Sequence, residues 1–220
     1  EQIKRYNTFS DADSVDHAKF GADLLFKDGL ISTFLKGMVK CTGYKPGALE
    51  DRYGSDGAFL YGRLNKSDME MLELAIRCHN MYRIPQGLNR REQAFCNVLR
   101  DADKVDIFKV NIDTPLEEIY NTTTEELMKS DITDEVLEAF GEEHCILKAI
   151  RRTPADTVIG HVSLAYELVY DESVRITVQQ GYLRKLMHFH SDNEETNRKM
   201  AMVREKMDSY VKKRIGKKDA

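Results

Sequence analysis

Apolar residues recur three, four and seven positions apart in segment after segment of this chain, and no useful length alternates apolar with polar. A period near 3.6 lays an apolar stripe along one side of a helix, whereas a half-buried strand needs a period of two. The expected fold class is therefore all-α. Start and stop signals agree with this. Ser14 can cap a helix over residues 15–28, with Phe20, Leu24 and Leu25 on its stripe and Gly29 just past its end. A short helix is expected at 31–36. Ser67-Asp68-Met69-Glu70 reads as a capping box opening a helix that runs to about Met81. Pro85 and Gly87 break the chain before a helix over about 91–110. Pro115 and Pro154 follow Thr114 and Thr153, the order of an N-cap and a first helical proline. Further helices are expected over 134–140, 155–170, 172–180 and 193–215, the last with Met200, Val203, Met207 and Val211 on one stripe. The stretch 41–65 holds five glycines, Pro46 and several tyrosines. It reads as a long loop or insert, either a place where a substrate is met or a plain surface excursion.

Composition narrows the function classes. Charged residues make up 32% of the chain, with 33 basic against 37 acidic side chains and a net charge of −4, which disfavours a nucleic-acid duplex as partner. The basic run from Val211 to Lys218 follows the last helix and complements its negative end. Four cysteines form no C-x-x-C pair, and Cys78 and Cys96 fall inside helical apolar patterns, so buried free thiols are expected. No apolar run is long enough to span a bilayer and no signal-peptide pattern opens the sequence. A cytoplasmic setting without membrane contact is the expectation.

The chemistry begins with three polar residues on three apolar stripes. His17 lines up with Phe20, Gly21 and Leu24. His79 follows Leu72, Ala75 and Ile76. Asp103 shares a stripe with Cys96, Leu99 and Ile107. A lone inward histidine is more often a hydrogen-bonded core residue than a ligand. A carboxylate on a buried stripe demands a partner, because its desolvation is costly. Two imidazoles and a carboxylate that converge would suit a divalent transition metal. In the run Arg100-Asp101-Ala102-Asp103-Lys104-Val105-Asp106, only Asp103 counts onto the stripe. Asp101 is expected to point elsewhere, near Lys104, and Asp106 to stand near the stripe's edge as a partner for a metal-bound histidine. His188 and His190 are two apart and so face different ways on a helix, and His144 and His161 are isolated, His161 reading as a packed core residue.

These segments resemble the HD superfamily of metal-dependent phosphohydrolases. Residues Arg100 to Phe108 look like that family's closing aspartate motif. The segments Ala75 to Pro85 and Val15 to Leu25 resemble the helices before it in a bacterial branch, in the same order, and the resemblance extends to about 162–182. It implies an HD-type helical bundle over 1–112, with an insert near 41–66, and a helical extension over 113–220. It further implies a divalent ion (Mn, Fe, Co, Ni or Mg) held by His17, His79 and Asp103, with Asp103 and Lys104 at the catalytic centre. Arg5, Arg83 and Arg100 would meet the phosphoryl group of a small phosphorylated substrate, and Asn80 and Asp106 would support the ligands. Some relatives carry two adjacent histidines where this chain has His79-Asn80.

One departure matters. No His-Asp dipeptide occurs in the 220 residues, although the family takes ligands from such a pair and from an earlier histidine. The expectation is that the sequence begins inside the domain, that the intact enzyme acts through a metal-activated water, and that these 220 residues alone are weakly active or inactive. The rival is a helical binding or regulatory module that kept the scaffold without catalysis. A homo-oligomer is compatible with either.

Overall fold

A computed structural model describes residues 15–31, 33 and 66–216. Ser14, Arg5, the 41–65 stretch, most of 31–36 and the end of the basic tail lie outside the described residues. All regular elements among the described residues are helices, so the fold class is all-α. None is long and apolar enough to cross a membrane. The chain divides into two compact units, Glu1–Leu99 and Arg100–Ala220.

In the first unit, α1 (His17–Ala22) runs directly into a π-helical turn, Asp23–Lys27. Its cap is Asp16, two residues beyond the expected Ser14. The Asp16 carboxylate accepts from the backbone N–H groups of Ala18 and Lys19, both at 3.1 Å, because an aspartate satisfies the orphan donors of a first turn as well as a serine does. Gly29, at φ 76°, takes the left-handed conformation past the helix end. The next helix, α2 (Lys66–Cys78), begins one residue before Ser67, so the expected capping box lies inside its first turn. It packs against α1. Ala18 and Ala22 of α1, and Met71, Ala75 and Cys78 of α2, are buried. The three alanines leave room for the backbones to approach closely. The third helix, α3 (Arg90–Asp113), opens on a capping box that the sequence reading passed over. Asn89 accepts from Arg91 and Glu92 N–H at 2.9 and 3.0 Å, while Glu92 accepts from Asn89 N–H at 2.9 Å.

The boundary between the units falls inside α3. In the second unit, the rest of α3 is followed by α4 (Leu116–Tyr120), α5 (Thr124–Lys129), α6 (Asp134–Gly141), α7 (Pro154–Val162), α8 (Asp171–Gln180), α9 (Tyr182–Met187) and α10 (Glu194–Ile215). Its core collects Phe108, Leu127, Val136, Phe140, Ile159 and the α10 stripe Met200, Val203 and Met207. Thr153 caps α7 and Pro154 occupies its first turn, as expected, whereas Pro115 itself sits at the N-cap position of α4. The single helix expected over 155–170 is instead α7 followed by a 3-10 turn, Ser163–Glu167. Ser163 explains the break. Its hydroxyl donates to the Gly160 carbonyl at 2.7 Å and accepts from Ile146 N–H at 3.0 Å, so it draws backbone groups out of a regular ladder.

Asp101, expected to point off the stripe near Lys104, is itself enclosed. It is 2% exposed. Its oxygens accept from Val169 N–H at 2.9 and 3.1 Å and from Tyr170 N–H at 3.0 Å, holding the chain that leads into α8.

His161 is the packed residue its isolation suggested. Its Nδ1–H donates to Asn111 Oδ1 at 2.6 Å, and Tyr120 donates to the same oxygen at 2.9 Å. Burial, with help from the Arg151 and Lys148 charges, pushes its pKa down to about 3. A depressed histidine pKa stabilises the fold above the unfolded value of about 6.5, and the contribution falls as acid drives protonation of the unfolded chain. Between pH 6.5 and 4.5 the second unit should lose about 1.4 kcal/mol per pH unit from this group alone. Urea midpoints measured across that range should decline less steeply for His161→Gln. Equal slopes in the two proteins would contradict the assignment.

Candidate metal centre

The first unit brings two of the expected ligands together. His17, at the start of α1, and His79, just past the end of α2, place their Nε2 atoms 3.1 Å apart. The rings meet edge to face, with centroids 5.0 Å apart and planes at 63°. An ion bound to both nitrogens at about 2.1 Å would hold them about 3.0 Å apart at a right angle and about 3.4 Å apart at the tetrahedral angle. The observed spacing lies between these values.

The tautomer follows from the neighbours. His79 Nδ1 lies 2.7 Å from the Ile76 carbonyl, which can only accept. Nδ1 therefore carries the proton, and a neutral His79 turns the lone pair of Nε2 toward His17. Either His17 donates a proton into that contact, or both rings present lone pairs that can share one cation. A backbone carbonyl on the far nitrogen is the support that orients metal-bound imidazoles.

The register of α1 on α2 is held by Asp16 and Arg77, neither of them in the expected site, and by Asn80, which was expected there. Asn80 donates to Asp16 Oδ1 at 3.1 Å, so this amide braces the cap of α1. Burial would raise the Asp16 pKa, but the Lys19 backbone N–H, the Lys19 ammonium and the Asn80 amide together lower it to about 2. At the other end, Arg77 donates to Asp23 at 2.5 Å and to Glu73 at 2.7 and 2.9 Å, and its Nη1 reaches the Lys19 carbonyl at 3.5 Å. Asp23 opens the π-helical turn, so Arg77 ties the end of α1 to α2. The sequence signal for Asp16 was present, since aspartate is as good an N-cap as serine. Arg77 gave none, because its partner Asp23 lies 54 positions away.

The other expected residues are placed as follows. Asp103 is half-buried on the part of α3 that belongs to the second unit. Lys104 is buried there, and burial with the neighbouring Arg100 lowers its pKa against the opposing pull of Asp103, Glu167 and Cys145. Arg100 faces Glu167 at 3.8 Å, with only 11% of its side chain exposed. Arg83 is exposed and lies over the Tyr82 ring at 5.3 Å. Asp106 is exposed. Cys78, Cys96 and Cys145 are buried. No protein-family model matches the chain, and neither does any curated protein or solved structure.

Proposed function

We propose that this chain is an HD-type metal-dependent phosphohydrolase that cleaves a nucleotide-like or other small phosphoester with a metal-activated water. The observation that carries the proposal is the His17–His79 pair, with its facing Nε2 atoms and the far nitrogen of His79 tied to a carbonyl. Asp103 is proposed as the carboxylate ligand, from its helical spacing to Cys96, Leu99 and Ile107 and from the resemblance of its segment to the family's closing motif. When bound, a divalent ion (Mn, Fe, Co, Ni or Mg) would supply Lewis acidity and a more acidic water. His79 would hold such an ion in a fixed direction, since its proton is committed to Ile76. Arg83, with its exposed guanidinium, is the candidate contact for phosphoryl oxygens. Lys104 and Arg100 are less available for that role, being buried and engaged with Glu167.

The test is hydrolysis of p-nitrophenyl phosphate, its bis ester and a set of nucleotides after chelation, with each metal restored singly. Turnover that depends on added metal and is lost in Asp103→Ala supports the proposal. A protein that binds no metal and turns over nothing on the panel favours the alternative, a catalytically inactive binding or regulatory module on the same scaffold.

A further inference from the structure

Each histidine of the first unit has a neighbour in sequence that takes part in a second contact. Asp16 precedes His17, and Asn80 follows His79. The Asn80 amide donates to Asp16 Oδ1 at 3.1 Å, and the two imidazole Nε2 atoms stand 3.1 Å apart. Two peptide links and two non-covalent contacts thus close a small ring, from Asp16 through His17, His79 and Asn80 back to Asp16.

The ring is anchored on both sides. Asp16 Oδ1 also accepts from the Ala18 and Lys19 N–H groups at 3.1 Å, and Oδ2 meets the Lys19 ammonium at 3.0 Å. His17 is the first residue of the turn that this carboxylate caps. Opposite it, His79 Nδ1 lies 2.7 Å from the Ile76 carbonyl. Neither histidine sits in the interior of a long helix. His17 begins a helix of 6 residues, and His79 lies past the end of α2. Backbone at helix ends frays, so the separation of the two rings needs a tie of its own. Capping uses only the N–H groups of the first turn. The third donor to Oδ1 comes from 64 positions away and adds nothing to the cap. It couples the cap of α1 to the neighbour of the far histidine.

We propose that Asp16 and Asn80 form a brace that sets the spacing of His17 and His79 for a shared cation. The proposal rests on the metal reading of that pair. Asn80 is then a positioning residue, acting through the backbone of His79 and not as a ligand. Three changes separate these roles. Asn80→Ala leaves the capping contacts of Asp16 in place and removes only the brace. Asn80→Asp sets one carboxylate against another, which pushes the two segments apart. Were Asn80 itself a ligand, the same change would supply a better one and tighten binding. The double variant Asp16→Asn/Asn80→Asp restores a donor and an acceptor across the gap, and asparagine caps a helix as well as aspartate does.

Calorimetric titration of the whole chain with cobalt at pH 7.5 tests this, with circular dichroism and urea midpoints measured on the same proteins. Cobalt affinity should fall about tenfold in Asn80→Ala and further in Asn80→Asp, and return toward the unaltered value in the double variant, all three remaining helical. Equal cobalt affinity in the unaltered chain and Asn80→Ala would overturn the brace and leave the metal reading standing. Tighter binding by Asn80→Asp, or a double variant no better than Asn80→Asp, would also overturn it. An unaltered chain that binds no cobalt would remove the metal reading and the brace together.

Discussion

His79→Ala is expected to abolish metal-dependent phosphoester hydrolysis, a loss of at least about a hundredfold, while leaving the helices of the first unit in place. The imidazole lies past the end of α2 and is not among the buried groups that hold α1 to α2. Those are the alanines, Met71 and Cys78, with Arg77 and Asn80 at the two ends of the contact. Removing the ring takes away one of the two proposed nitrogen ligands and breaks the contact between the two Nε2 atoms. His79→Gln should behave almost as badly, because an amide oxygen is a weaker ligand for a transition ion than imidazole. Circular dichroism of both variants should match the unaltered protein. Rates measured over the phosphoester panel with Mn and Co give the comparison, and hydrolysis retained in His79→Ala would remove that residue from the site.

Asp101→Ala should unfold the second unit at much lower urea than any change at the exposed Asp106. The carboxylate is buried and receives the N–H groups of both Val169 and Tyr170. Truncation removes the acceptor that the Val169 and Tyr170 N–H groups share and leaves a void where the buried carboxylate stood, so a loss of roughly 1–3 kcal/mol is expected. Asp101→Asn keeps one acceptor oxygen and should fall between. The consequence for reading the Arg100–Asp106 run is direct. Lower activity in an Asp101 variant would reflect loss of fold, and only stability measured beside activity separates it from a change at Asp103. An Asp101→Ala protein with an unchanged urea midpoint would contradict this account.

What the sequence disclosed and what it hid follow from range. The all-α class was legible because a 3.6 period is a local property, and the α10 stripe of Met200, Val203 and Met207 is buried as its spacing required. Thr153-Pro154 announced α7 because a cap and its proline are neighbours. Helix ends were less legible where two residues could serve, as with Ser14 and Asp16, or where a hydroxyl captured backbone groups, as at Ser163. Counting positions placed Asp103 on a stripe but missed Asp101, because the N–H groups that bury Asp101 come from 68 and 69 residues further on. The inward histidines were visible as anomalies on apolar stripes. Their mutual approach across 62 positions was an expectation that only a folded chain could meet.

The most direct test of the central claim is a cobalt titration of the purified chain followed by visible absorption. Imidazole ligation by His17 and His79 predicts d–d bands that saturate at one ion per chain and vanish in the His17→Ala and His79→Ala proteins, with both variants still helical. A featureless titration of the unaltered chain, or bands that persist when either histidine is gone, would contradict it.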